Sequence, residues 1–165
     1  MKQLLFILLI TFTLSSCEKD DICDPATSTT PSLVIQFYDA DSPNNVQTVT
    51  NLKVIAPGFT NAVSGTSGVS KITIPLKTSG DSTSFEFIEN GGDADTTDDN
   101  TDVLQFTYTR KNIYVSRACG YKVNFDLTNT NTNILTADTD NWIQSIVIAQ
   151  PNIETENETH IKIYF

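Results

Sequence analysis

Short runs in which apolar residues fall on every second position dominate this chain. Leu33, Ile35 and Phe37 share one face of such a run, as do Ile72, Ile74 and Leu76, then Phe85 and Phe87, then Leu104, Phe106 and Tyr108, then Tyr121, Val123 and Phe125. A period of two puts these side chains on one side of a β-strand, where they are buried while the residues between them meet water. Further strands are predicted near Leu52 to Ile55, Trp142 to Ile148 and His160 to Phe165, with one more near Ile134 and Leu135 inside the Thr/Asn/Asp-rich connection 126–141. No segment sustains a 3.6-residue apolar period with capping residues, and Pro31, Pro43, Pro57, Pro75 and Pro151 fall at strand ends or turns. About seven to nine short strands predict an all-β domain, an antiparallel two-sheet β-sandwich, Ig-like or similar, with a small β-barrel as the alternative.

The N-terminus follows a different rule. Basic Lys2, an apolar stretch from Leu4 to Leu14 and small residues before Cys17 have the order of a cleaved leader. The stretch is far shorter than the roughly 20 apolar residues of a bilayer-spanning helix. Leu14-Ser15-Ser16-Cys17 resembles the lipobox of bacterial lipoproteins, which implies cleavage before Cys17 and a diacylglycerol thioether on its sulfur. Two or three acyl chains, at about 0.8 kcal/mol per buried methylene, hold a protein to a bilayer where one chain would not. Just behind it, Lys19, Asp20 and Asp21 resemble the lysine-plus-acids signal that carries such lipoproteins through the outer membrane to the cell surface, the periplasmic face being the alternative. The expected organisation is a signal peptide at 1–16, a lipidated tether at 17–31 and one domain at 32–165.

Charge narrows the partners. The full chain carries a net charge of −10; without Lys2 the lipidated chain has nine basic residues against 20 acidic ones, or −11. Such a surface repels nucleic acid, which is excluded as a partner. A hydrophobic fraction of 39% is enough for a core despite the many polar residues. Once Cys17 is lipidated, Cys23 and Cys119 remain as an even pair in an oxidising compartment and are read as a disulfide. Two free thiols, or half of a metal site, are the competing readings, and a single histidine cannot complete a four-ligand zinc site from two cysteines without distant carboxylates.

Candidate chemistry is sparse. The loop from Glu89 to Asp102 offers Asp93, Asp95, Asp98, Asp99 and Asp102 as hard oxygen ligands, but its spacing does not fit an EF-hand, and a solvated acidic loop is preferred to a calcium site. His160 alternates with Ile161 and Ile163, so it is expected to face solvent with Lys162 and Tyr164, a poor setting for a general base. No carboxylate is seen in an apolar segment that would raise its pKa, and no phosphate loop or redox CxxC occurs. No catalytic residue, metal or cofactor is therefore assigned. Trp142, beside Asp140, Asn141 and Gln144, has the residue type of a sugar-stacking platform but is expected in the core. Arg110 and Arg117 flank strands in an acidic domain and are expected in internal salt bridges before ligand contacts. Asp81-Ser82-Thr83 and Asp95-Thr96-Thr97 resemble short Asp-Ser/Thr acceptors for O-glycosylation.

Pro31 to Asp39, Tyr108 to Lys111, Ser116 to Tyr121 and Asn141 to Ile143 resemble a family of uncharacterised Bacteroidetes-type lipoproteins, a domain of unknown function. The resemblance implies an exported β-rich lipoprotein and supplies no activity, substrate or catalytic residue. The expected function is a non-catalytic interaction or structural module anchored to the outer membrane through Cys17, with an outer-membrane protein as possible partner. The alternative is a small-ligand or glycan-binding domain using loops around Trp142.

Overall fold

A computed structural model describes residues 22–64, 68–128, 134–135 and 139–165. Among them the chain is all β and contains no helix. The strands are β1 (Leu33–Tyr38), β2 (Lys53–Ile55), β3 (Ala62–Ser64), β4 (Lys71–Ile74), β5 (Ser82–Glu89), β6 (Asn100–Thr107), β7 (Thr109–Ser116), β8 (Gly120–Asp126), β9 (Ile134–Leu135), β10 (Ser145–Ile148), β11 (Asn152–Ile153) and β12 (Ile161–Tyr164). They form three sheets, ordered β10-β12-β1-β4, β3-β2-β5-β6-β9 and β11-β8-β7. None closes on itself, so the small-barrel alternative fails.

The alternation is converted directly into burial. Thr83, Phe85 and Phe87 of β5 face inward opposite Phe106, Leu104 and Asp102 of β6, in an antiparallel register. Ile72 and Ile74 of β4 pair with Ile35 and Leu33 of β1. All three sheets contribute to a single core, in which Phe37, Phe85, Phe87, Phe106, Tyr108 and Phe125 are the largest enclosed side chains. One pairing departs from the antiparallel expectation: β1 runs parallel to β12, with Ile35 opposite Ile161 and Phe37 opposite Ile163. A parallel pair needs a long connection, and here it is the whole chain between the first strand and the last.

Three other elements differ from expectation. The strand expected from Trp142 begins only at Ser145, because the segment before it is held by side-chain bonds to Asp102. The acidic loop is shorter than expected, since β6 starts at Asn100 and takes Asp102 into the sheet. Gly92 lies so close to the Thr50–Asn51 turn that a Cβ there would stand 2.8 Å from the Asn51 carbonyl oxygen, to which its own N–H donates at 2.7 Å. β7 was not expected as a strand, because its residues are exposed on both faces along most of its length and carry no alternation to read.

Candidate functional site

The expected lipidation site Cys17 and the export residues Lys19, Asp20 and Asp21 lie outside the described residues, so the site is built from Ile22 onward. Cys23 is bonded to Cys119, with Cα atoms 4.8 Å apart across a sequence separation of 96. Cys119 closes the turn between β7 and β8. Its N–H donates to Ser116 Oγ at 3.0 Å, and the next residue, Gly120, sits at φ 69°, a left-handed conformation that glycine adopts without a Cβ clash. From Cys23 the chain turns on Asp24, whose Oδ1 accepts the Ala26 N–H at 2.9 Å and whose carbonyl accepts that of Thr27 at 2.8 Å. It then runs along β8: Lys122 Nζ donates to Ser28 Oγ and the Val123 N–H to Thr30 Oγ1, both at 3.0 Å. Residues 23–30 are thus fastened to the hairpin by one covalent bond and two hydrogen bonds.

The tip of that hairpin has an unusual surface for this chain. Tyr114 and Tyr121 face each other across β7 and β8, their rings edge to face with centroids 5.3 Å apart, and they are 59% and 70% exposed. Ile22, next to the bonded Cys23, is 81% exposed. From Val103 to Phe125 there is no Asp or Glu, while Arg110, Lys111, Arg117 and Lys122 all fall within it. At the foot of the hairpin Arg110 is neutralised: its Nε pairs with Asp81 Oδ1 at 2.7 Å and its Nη1 donates to the Thr78 carbonyl at 2.6 Å. Arg110 and Asp81 line a surface pocket of about 430 Å³ with Thr107, Tyr108, Thr109 and Asn112. Beside it the Tyr108 hydroxyl donates to the Lys77 carbonyl at 2.9 Å and lies 2.6 Å from Thr83 Oγ1, and burial pushes its pKa up.

The other candidates are drawn into the structure of the core. Trp142 is buried, packed against Phe37 and Phe165 at centroid distances of 6.3 and 5.5 Å, and its Nε1–H donates to the Phe87 carbonyl at 3.2 Å. It offers no platform to a sugar. Asp102 holds it there: one carboxylate oxygen accepts the Ile143 N–H at 2.8 Å and the other the Asn141 amide at 3.0 Å. Asp102 is fully buried, and so is not one of a set of solvated loop acids. Glu89, diagonal to it on β5, is held above the usual carboxylate range by its own burial and then by the Asp102 charge. This corrects the expectation that no carboxylate has a raised pKa. Asp93 and Asp95 are engaged in local turns, through the Asp95 and Thr97 N–H groups respectively. Among the described residues no cluster of three or more His, Cys, Asp or Glu could hold a metal ion.

His160 overturns its expected place. It is fully buried, not solvent-facing. Its N–H donates to the Val34 carbonyl and its Nδ1 accepts the Val34 N–H, each at 3.0 Å, so that backbone and imidazole together satisfy one residue of β1. The ring supplies the acceptor that the parallel ladder would otherwise take from a backbone carbonyl beyond its end, which fixes Nδ1 as unprotonated. Burial, helped by Lys71 and opposed by Glu158 and Glu156, lowers its pKa. Of the two glycosylation patterns, Asp81-Ser82-Thr83 lies at the start of β5 with Thr83 buried and bonded to Lys77 and Tyr108, whereas Asp95-Thr96-Thr97 is exposed.

An all-β domain whose Cys23 is disulfide-bonded to a hairpin tip is the class this geometry defines. Residues 51–165 match the model of a family of unknown function, DUF6452, and the chain belongs to that family. No curated protein and no solved structure matches it.

Proposed function

We propose that the chain is a lipid-anchored, non-catalytic interaction or structural module of the bacterial cell envelope, carried on Cys17 in the outer membrane and displayed at the cell surface through Lys19, Asp20 and Asp21. In this reading the strands pack as a two-sheet β-sandwich, and the family is one of exported lipoproteins. The observation that carries it is the Cys23–Cys119 bond, which joins the residue six places behind the lipobox cysteine to the folded domain. A disulfide is the expected state of such a pair in an oxidising compartment. It also leaves a leash of only about 20 Å between Cys17 and Cys23, at 3.3–3.6 Å per residue. A domain held that close meets partners in the same membrane at high effective concentration, which suits an interaction module.

Small-ligand or glycan binding is the weaker reading, since Trp142 is in the core and the pocket at Asp81 and Arg110 is walled by a pair of charges that neutralise each other. His160, engaged with Val34 at both its N–H and Nδ1, is no general base. The test is genetic. Cys17→Ser should abolish incorporation of labelled palmitate and leave an uncut or misprocessed precursor. Replacing Lys19, Asp20 and Asp21 with Ala should keep it on the membrane but hide it from protease added to intact cells. Palmitate still entering the Cys17→Ser protein would overturn the anchor, and unchanged shaving of the triple variant would overturn the display signal.

A further inference from the structure

We propose that the Cys23–Cys119 bond is a redox-sensitive clasp that sets how far the domain can stand from its anchor, and that a dithiol reductant converts a leash of six residues into one of fourteen without unfolding the core; the proposal rests on the lipid-anchored reading. Residues 23–30 carry it. Apart from Thr27 and Thr30, which are half-buried, every one of them is exposed, and burial begins only at Pro31 and Leu33. The segment therefore gains little from apolar burial. Among the described residues its hydrogen bonds to the hairpin are those from Lys122 Nζ to Ser28 Oγ and from the Val123 N–H to Thr30 Oγ1, whereas the bonds to Asp24 stay within the segment. Ordering eight residues costs backbone entropy at each of them, and two hydrogen bonds at the surface return only a fraction of it. With the disulfide closed, Cys23 is pinned at one end and β1 at the other, so the segment has little freedom left to lose. Opened, it keeps one fixed end and comes away.

The bond is open to exchange. Cys23 is exposed and Cys119 half-buried, which leaves the outer sulfur in reach of a thiolate. A thiolate of the dithiol bonds to Cys23 Sγ as the bond to Cys119 breaks, and Cys119 leaves as a thiolate and takes up a proton. The second thiol of the reductant, once deprotonated, attacks its own partner sulfur in the mixed disulfide, so that Cys23 leaves in the same way. The reductant ends as a disulfide, and the protein has gained two electrons and two protons.

The core keeps all its members when the segment leaves, because none of its buried hydrophobic residues precedes Leu33. What changes is reach. From Cys17 the chain is held at Cys23 when the clasp is closed and at Pro31 when it is open, so its greatest extension rises from about 20 Å to about 46–50 Å at 3.3–3.6 Å per residue. For a partner close by in the same membrane, effective concentration falls with roughly the −3/2 power of leash length, or about three- to fourfold here. Partners farther from the anchor than the closed leash can span come into range.

The clasp is tested with the lipidated protein on phosphatidylcholine vesicles that carry a dansyl-labelled headgroup, by energy transfer from Trp142, the single tryptophan, before and after dithiothreitol. The thioether expected at Cys17 is not a disulfide and survives this reductant. Flotation with the vesicles reads the anchor, alkylation followed by mass measurement reads the two cysteines, and amide exchange reads the segment through the Val123 N–H that Thr30 covers. Once both thiols can be alkylated, transfer from Trp142 should fall and the Val123 amide should exchange faster, while the amides of β5 and β6 stay protected. The double variant Cys23→Ser, Cys119→Ser should behave as the reduced protein from the start and be indifferent to dithiothreitol. A reduced protein that floats with unchanged transfer, or with Val123 still protected, would overturn the clasp and leave the anchor standing. Loss of protection throughout β5 and β6 on reduction would overturn it as well, since the bond would then hold the fold and not the leash. Failure to float would overturn the anchor and the clasp with it.

Discussion

Two hairpins of nearly equal length are held by different means. In β5–β6 the inward positions Phe85, Phe87, Leu104 and Phe106 are all buried, and the ring centroids of Phe106 lie 6.5 Å from those of Phe85 and Phe87. In β7–β8 the same alternation leads out of the core: Phe125 at the foot is buried against Tyr108, with ring centroids 5.0 Å apart, whereas Tyr121 and Tyr114 at the tip are exposed. The first hairpin is held by apolar burial, the second by a disulfide and by the segment 22–31 lying along it. The difference teaches that a strand pair whose alternating face leaves the core needs another fastening, here a covalent one.

The largest expected effect comes from the first hairpin. Phe106→Ala removes a fully buried ring and should cost about 3–5 kcal/mol, read as a lower urea midpoint with an unchanged slope. Reducing the Cys23–Cys119 bond should cost about 2–5 kcal/mol, since it opens a loop of nearly a hundred residues. The loss should be local in origin: amide exchange should accelerate first in β7 and β8 and last in β5 and β6. Equal acceleration in both would break the distinction between them.

Acid should also divide the two regions. A buried imidazole held below its ordinary value of about 6.5 binds a proton more weakly in the folded chain than in the unfolded one. Its contribution is therefore fully present above about pH 6.5 and is lost as the pH falls from there toward the folded value. The loss belongs to the β1–β12 pair, where protonation of Nδ1 would break its bond from the Val34 N–H. The tip of β7–β8, with no acid or histidine between Val103 and Phe125, should be indifferent over the same range. His160→Ala should cost about 1–3 kcal/mol at neutral pH by leaving a buried N–H unpartnered, and should flatten this part of the pH profile. The smallest effect is at the tip itself: Tyr121→Ala should cost no more than about 0.5–1.5 kcal/mol, the worth of its ring contact with Tyr114.

Much of the first hairpin was legible in sequence because one face of each strand is apolar and the other polar. The register Leu104, Phe106, Tyr108 also runs back to Asp102, but an acid flanked by Thr, Asn and Asp reads as loop, and only its bonds to Asn141 and Ile143 explain an aspartate inside. The alternation with Ile161 points His160 outward, and no periodicity encodes the imidazole's bond to the first strand, 126 residues away. β7 was unreadable for the opposite reason, as a strand exposed on both faces leaves no hydrophobic trace. The disulfide was legible from the even pair of cysteines left beside Cys17 and the oxidising compartment expected for them, whereas the pair Tyr114 and Tyr121 needed the register that sets them face to face.

The anchor and the clamp can be read together in one measurement, non-reducing peptide mass mapping of the protein isolated from membranes. We expect a single cross-linked species in which a peptide beginning at diacyl-modified Cys17 and containing Cys23 is joined to the peptide containing Cys119. An unmodified N-terminal peptide still carrying residues 1–16, with Cys23 and Cys119 both open to alkylation, would contradict the lipid-anchored, hairpin-clamped domain.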